Sequence, residues 1–318
     1  MICRLALVAL LGACLPAAAQ PFPSRPIRLV VPYPPGGGTD TVARPLAQKI
    51  SESVGQPVVI DNRGGASEII GTEIVAHAPA DGYTLALVTN AFAINVAYQR
   101  KLPYDPVRDF TPVSLLITTP LMVVAHPSLP ATSLRELITL AKAQPGKLNY
   151  ASLGNGTVHH LSMEWLKMLA GIDIVPVLYK GLAPALSAVT AGEVQLMFSG
   201  LGVGLGLVKA GKLRGLAVST PERSAAAPEV PAVAESGFAD YDAVAWYGVL
   251  APARTPSETV AILNSEIGKA LRAPDLRQRF ANIGVDAAPS TPEALQQLIR
   301  KETALWAKVI QAAGLKPD

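Results

Sequence analysis

The sequence predicts an α/β fold of mainly parallel sheet flanked by helices, and three observations carry that prediction. Beyond Pro26, strand-like and helix-like segments alternate along the chain. Tyr83 to Thr89 is a near-continuous apolar run, as expected of a strand covered on both faces. Four times an apolar strand runs into a glycine-bearing turn and then a helix. Ile27–Tyr33 leads into Pro34–Asp40, Val58–Ile60 into Asn62–Ala66, Leu148–Ser152 into Leu153–Thr157, and Val175–Tyr179 into Lys180–Gly181. Helix N-termini carry unpaired N–H groups and about half a positive charge. Several converging on one cleft would form an anion-sized pocket that needs few charged side chains. Short strand-to-helix turns use glycine for backbone reasons too. Four of them at strand ends, however, fall where open α/β sheets bind ligands.

The elements follow in order. Thr39 or Asp40 is the expected N-cap of a helix running to about Val54 and stopped by Gly55, with Pro45 inside it at some cost. Ser67 to Ala76 is expected to be helical and to end in the Pro79–Gly82 turn. Ser133 caps a helix over Leu134–Ala143 that Pro145-Gly146 terminates. Further helices are expected over His160–Leu169 and Ala183–Thr190, and strands over Val194–Phe198 and Leu213–Ser219. The last third is helical over Thr259–Leu271, Pro274–Ile283 and Pro292–Ala312. Leu121–Ala125 and Trp246–Leu250 are each followed by a residue and a proline, and are expected to cross between two domains. The division is then 20–122 with 248–318 as one lobe and 123–247 as the other.

Composition narrows the function. Half the residues are hydrophobic and only 16% charged, a core-forming balance rather than a disordered one. The net charge of +3 is spread without a basic stripe, so no nucleic-acid partner is expected. Residues 1–19 form a secretory signal: Arg4, an apolar core from Leu5 to Leu11, and Ala17-Ala18-Ala19 before Gln20. Cys3 and Cys14 both lie in that segment, so the mature chain lacks thiols and disulfides. Leu11-Gly12-Ala13-Cys14 also fits a lipoprotein box, which leaves open a lipid anchor at Cys14.

Catalytic patterns are sparse. No G-x-S-x-G elbow and no H-E-x-x-H is present. Gly206–Leu213 has the spacing of a phosphate loop, but Leu213 replaces the Mg²⁺-binding hydroxyl and the segment precedes a strand. The alternating Gly200, Gly202, Gly204 and Gly206 contain no dinucleotide fingerprint. His160 and Glu164 share a helix face beside His159, too few ligands for a metal site, and no metal or cofactor is expected. Asp40 loads a first helical turn. Lys180 faces outward or steers a carboxylate. Tyr33, Tyr179 and Trp246 adjoin glycine loops or a crossover, as pocket walls or as core.

Six segments together resemble the exported receptors of tripartite tricarboxylate transporters, the Bug receptors. They are Arg25–Pro32 with Pro35-Gly36-Gly37 and Thr39-Asp40; Asp81–Leu85; Leu102–Pro106; Gly154–Thr157 with His160-Leu161; Tyr179-Lys180-Gly181; and Trp246-Tyr247-Gly248. The resemblance implies a two-lobed periplasmic-binding fold of type II with two hinge strands, closing on one small solute. It implies carboxylate capture, partly through water, by the loops around Gly36–Asp40 and Ser152–Thr157. Other contacts are expected from Ala66–Glu68, Tyr179–Gly181 and Ser199–Leu201. Four departures stand out: Gly38 for a common Ser, Ser67-Glu68 for a small Gly pair, Leu178 for Pro, and Ser199–Gly202 for an Asp-Asn-Leu-Pro-like stretch. Glu68, if it points inward, would disfavour a second carboxylate or pair with an amine.

The resulting candidate ligand-binding set is Tyr33, Gly36, Gly37, Gly38, Thr39, Asp40, Ala66, Ser67, Glu68, Asn90, Ser152, Gly154, Asn155, Gly156, Thr157, His160, Tyr179, Lys180, Gly181, Ser199, Gly200 and Leu201. The expected protein is a periplasmic, monomeric, non-enzymatic receptor. Its solute would be a small carboxylate (an amino acid, a dicarboxylate or an aromatic acid) and its partner the membrane transporter subunits. Two alternatives stay open: a sensor that signals through a membrane kinase, and an enzyme acting on a carboxylate with His160 as base and Asp40 as orienter.

Overall fold

The computed structural model describes residues 22–98 and 101–316. The expected signal segment, with Cys3, Cys14 and the expected cleavage site, lies outside them. No helix among the described residues is long and apolar enough to cross a membrane.

The first half of the chain alternates as its pattern predicts: β1 (Ile27–Val31), α1 (Gly38–Val54), β2 (Val58–Asn62), α2 (Ile69–Ala76), β3 (Thr84–Thr89), α3 (Asn90–Ala97) and β4 (Phe110–Ala125). There follow α4 (Leu134–Ala143), β5 (Leu148–Ser152), α5 (Val158–Ala170), β6 (Ile174–Leu178), α6 (Leu182–Ala191), β7 (Leu196–Gly200), α7 (Leu201–Lys209) and β8 (Arg214–Val218). The chain closes with β9 (Val244–Pro252), α8 (Ser257–Arg272), α9 (Pro274–Ala281), β10 (Asp286–Ala287) and α10 (Pro292–Ala312).

Strands join in the order β2-β1-β3-β9-β4-β7-β5-β6, with β8 and β10 also paired to β4. Parallel pairing holds for β1 with β2 and β3 and for β5 with β6 and β7. The sheets are nonetheless mixed, because β4 and β9 pair antiparallel with their neighbours. β9 inserts between β3 and β4, which α3 connects, so those two strands run parallel to one another with β9 antiparallel between them. Residues 110–120 of β4 pair with β9 in the first sheet, and residues 121–125 pair with β7 and β8 in the second. Trp246–Leu250, the expected second crossover, lies wholly within β9 of the first sheet. The chain passes between sheets just ahead of it. There buried Ser219 ties both passing strands: its Oγ accepts from Leu121 N–H at 2.8 Å and donates to Ala243 O.

Both faces of the first sheet are covered, which explains the apolar run of β3. Leu85 and Leu87 pack with Val42 and Leu46 of α1 and with Ile267 of α8. Ala86 and Val88 pack with Phe92 and Trp246. The end of α10 reaches the second sheet's helices, where buried Trp306 meets Trp165 edge-on at 6.1 Å between ring centroids.

Local differences from the sequence reading have specific causes. Ser133 caps α4 and Gly55 ends α1 as expected. However, α1 starts at Gly38 with Gly37 at the cap, so Thr39 and Asp40 lie inside the first turn. Asp40 turns its carboxylate back to accept from Gly36 N–H at 2.8 Å. α2 starts at Ile69 rather than Ser67, because Ala66, Ser67 and Glu68 are all left-handed, with φ of 47°, 51° and 78°. The helices α3 and α7 have no counterpart in the sequence reading. α3 follows β3 without a turn, and α7 is the alternating-glycine stretch, whose poor helix propensity hides it.

Candidate functional site

One cleft of about 630 Å³ is walled by loops from both sheets. The β1–α1 loop contributes Pro34 to Thr39. The β3–α3 junction gives Thr89, Asn90 and Ala91, and the β5–α5 loop gives Leu153 and Gly156 to His159. Gly181 stands at the start of α6, and Tyr33, Ser67, Ala245 and Tyr247 complete the wall. The N-termini of α1, α3, α5 and α6 therefore open into one space. No Asp, Glu, Lys or Arg is among the described residues lining it.

Each loop is built to present backbone. In the β1–α1 loop, Asp40 is buried and accepts from Gly36 N–H, from Asn62 Nδ2 at 2.9 Å and from Arg44 Nε at 2.9 Å. Burial acts to raise its pKa, but the hydrogen bonds from Asn62, Gly36 and Arg44 outweigh it and hold the carboxyl below its usual range. The start of α1 opens on the cleft, with Gly38 and Thr39 of its first turn in the wall. Thr39 is buried at the cleft wall, and its Oγ1 has no partner among the described residues.

The β5–α5 loop is braced from behind. Thr157 caps α5, accepting from His160 N–H at 3.3 Å and donating to Gly154 O at 2.8 Å. Its hydroxyl is thus engaged within the loop. The Nδ1 of buried His160 lies 2.8 Å from Ser152 Oγ and 2.9 Å from Tyr150 Oη. Tyr150 donates to Glu164 at 2.6 Å, and Glu164 pairs with Lys167 at 2.8 Å. Asn155 O accepts from Tyr98 Oη at 2.8 Å, joining this loop to the end of α3. At α6, Gly181 holds φ of 106°, a conformation that disfavours any side chain.

Glu68 faces inward and is fully buried, behind Tyr33 and Thr89 rather than at the mouth. It accepts from Tyr33 Oη at 2.7 Å, from Thr89 Oγ1, and from Thr89 N–H at 3.1 Å. Burial pushes its carboxyl up to about 7. Burial, with the Glu68 charge second, also raises Tyr33 and pushes Tyr247 up to about 12. Loss of hydration lowers the pKa of His159, leaving a neutral imidazole on the opposite wall at neutral pH.

Of the candidate residues, Tyr33, Gly36, Gly37, Gly38, Thr39, Ser67, Asn90, Gly156, Thr157 and Gly181 line the cleft. Asp40, Glu68, Ser152 and His160 stand directly behind the lining loops. Ala66, Gly154, Asn155, Tyr179, Lys180, Ser199, Gly200 and Leu201 are not in the lining. Ser199 and Leu201 are buried, and Leu201 packs in the core beneath α7. His160 bonds Tyr150 and Ser152 on one side of the cleft, and Asp40 bonds Gly36, Arg44 and Asn62 on the other. The sequence reading missed Thr89, Ala91, His159, Ala245 and Tyr247. It left Trp246 as pocket wall or core, and Trp246 is buried in the core. Alternation along β9 turns Ala245 and Tyr247 to the cleft and Trp246 away, a signal present in the pattern.

Two α/β halves joined by an extended strand, with strand-to-helix loops of both facing one cleft, define a two-lobed periplasmic-binding fold of type II. The chain belongs to the tripartite tricarboxylate transporter family of receptors, whose family model matches residues 42–315. Relatives include BugT of Bordetella pertussis, 36% identical over 311 residues that cover 97% of this chain and 95% of BugT. A protein from the tcbD–tcbE intergenic region of a Pseudomonas species is 39% identical over 290 residues, covering 91% and 86% of the two chains. Among solved structures, an R. palustris protein with adipate superposes with a TM-score of 0.80 at 37% identity, covering 93% of this chain and all of that one. MatC from Rhodopseudomonas palustris, with bound malate, gives a TM-score of 0.77 at 34% identity, covering 91% of this chain and 100% of MatC.

Proposed function

We propose that this protein is a non-enzymatic periplasmic receptor that captures one small carboxylate-bearing solute and delivers it to a tripartite tricarboxylate-type membrane transporter. The observation that carries this reading is the convergence of helix N-termini on a cleft whose lining, among the described residues, holds no charged side chain. Such termini bind anions through backbone N–H groups and the helix dipole. The unpartnered Thr39 hydroxyl supplies a further donor at the same wall. The two neighbours solved with adipate and malate, both dicarboxylates, support the same ligand class.

The lobes in this reading are 20–122 with about 244–318, and about 123–243, the second boundary moved from 247/248 to just ahead of β9 because Val244–Pro252 pair in the first sheet, and α10 spans the two. Closure swings the β5–α5 and α6 loops toward the β1–α1 and β3–α3 loops, about β4 near Leu121 and the chain near Ala243. The ligand stabilises the closed form by its differential affinity for it.

Calorimetry or thermal shift on the mature chain tests the reading, using small mono- and dicarboxylates beside their amides. A ligand at about a hundred times its Kd adds roughly 2.7 kcal/mol of stability. Stabilisation by an acid and not by its amide is the expected outcome. A response only to sugars, metals or nucleotides would overturn it.

A further inference from the structure

The cleft holds one feature that the general reading does not absorb. The N-terminus of α3 is already occupied by a carboxylate of the protein itself. Glu68 accepts from the Thr89 N–H at that terminus and from the hydroxyls of Tyr33 and Thr89, which are 3.2 Å apart on the cleft wall. The backbone is bent to place it there. Ala66, Ser67 and Glu68 are consecutive left-handed residues, none of them glycine, and Asn95 Nδ2 clamps Ser67 O at 2.7 Å. A run of this kind is strained and persists only when its surroundings enforce it.

The direction of these hydrogen bonds has a chemical consequence. While Glu68 is ionised, both hydroxyls donate to it. Their oxygens then offer only lone pairs to the cleft. A group bound against them must bring its own hydrogen. A carboxylate there would face acceptors with a buried anion behind them. When Glu68 carries a proton, it becomes a donor itself, and a wall hydroxyl is free to turn outward.

We propose that Glu68 sets this end of the cleft to accept a hydrogen-bond donor of the bound acid, an ammonium or hydroxyl group, and admits a second carboxylate there only together with a proton. The inference rests on the carboxylate-receptor reading and names the chemistry of the solute's other end. No Lys or Arg pairs with Glu68 among the described residues. The titratable groups that face it are the phenols of Tyr33, Tyr247 and Tyr104, with Glu73 beyond Tyr104. Behind α3, Asn90 bonds the buried carboxyl of Glu302. All of these either stay neutral near pH 7 or add negative charge, so none substitutes for the proton. With the carboxyl poised at about 7, the exchange falls in the physiological range.

The test compares matched probes on the full mature chain: hexanedioate with 6-aminohexanoate, butanedioate with 4-aminobutanoate, and benzene-1,3-dicarboxylate with 3-(aminomethyl)benzoate. Affinities are measured by calorimetry between about pH 6.5 and 8.5, in two buffers of different ionisation enthalpy. The expected result has two parts. The amino acid of a matched pair binds more tightly at the upper pH. Diacid affinity weakens by about twentyfold across the range, and diacid binding takes up a proton. In Glu68→Gln the pH dependence and the proton uptake disappear, and the diacid gains on the amino acid. Equal diacid affinity at both pH values in the natural protein would overturn the inference, and so would an unchanged pair ratio in Glu68→Gln. If that variant fails to fold by circular dichroism, the natural protein's pH series and proton count decide alone. Binding of no acid from any pair would instead remove the receptor reading itself, a different and distinguishable failure.

Discussion

Glu68 also carries a stability prediction that needs no ligand. Its carboxyl is fully buried without a cation, and it titrates at about 7 in the folded chain against an ordinary 4.5. Between those values the folded state holds a proton that the unfolded state has lost. Folding therefore takes up a proton, and stability falls as pH rises through that window and levels off above it. From the two pKa values, the cost of keeping Glu68 folded grows by about 2.5 kcal/mol between about pH 5 and pH 8. Glu68→Gln mimics the protonated form, so it should gain about that much on the natural protein between the two pH values. Urea unfolding of both chains at both pH values gives the double difference. Every other titrating group cancels in it, as does any pH-independent cost of seating the amide. A double difference under about 0.5 kcal/mol would refute the claim that burial outweighs the hydrogen bonds this carboxyl accepts.

Other substitutions probe other parts of the argument. Gly202→Ala would place a Cβ 2.6 Å from Ile283 O and 2.9 Å from Gly284 Cα, both backbone, where α7 touches the α9–β10 turn. It should destabilise by roughly 1–3 kcal/mol in urea. Gly206→Ala, in the same helix with nothing within 4 Å, should be neutral or stabilise by up to about 1 kcal/mol. Thr39→Val should weaken carboxylate binding about tenfold, the worth of one hydrogen bond, and leave the urea midpoint unchanged. Asp40→Asn should cost roughly 1–3 kcal/mol near pH 7. Because the Asp40 pKa is lowered, that contribution is present above the ordinary 3.8 and is lost as pH falls below it, so the two chains should converge in acid unfolding.

Much of the fold was legible because local signals agreed. Gly55 is left-handed at the end of α1, Ser133 caps α4, and the apolar run of β3 reports burial on both faces. Strand-to-helix turns rich in glycine pointed to the cleft through Gly36–Thr39, Gly156, Thr157 and Gly181. What stayed hidden was set by long-range packing. The antiparallel return of β9 between β3 and β4 is a pairing across more than a hundred residues, and no local pattern encodes it. α7 defies its own propensity because Gly202 and Gly204 let it lie close against Gly284 and Met122. The direction of Glu68 was left open, because nothing in the local pattern says which way a loop residue points. Three successive left-handed residues turn it inside, and such a turn has no sequence signature outside glycine and asparagine.

Asn90 extends the same point to the way the cleft is held. The sequence placed it among the ligand contacts, and it does line the cleft. Its side chain, however, is spent on structure. Nδ2 donates to Val244 O at 3.0 Å and to Glu302 Oε2 at 2.9 Å, and Oδ1 accepts from Trp246 N–H at 2.9 Å. Glu302 in turn accepts from Trp306 Nε1 at 2.7 Å, in the stretch of α10 that packs on Trp165. One amide thus fastens the start of α3, the first residues of β9 and the C-terminal helix at a single point. Removing it leaves the buried Glu302 carboxylate short of a donor and Trp246 N–H short of an acceptor, each a cost of roughly 1–3 kcal/mol. Asn90→Ala should accordingly be among the most destabilising single changes at the cleft. Asn90→Asp should be no better, since it sets a second carboxylate against Glu302. If Asn90→Ala instead lowered affinity with the urea midpoint unchanged, the amide would be a ligand group and this account of it would fall.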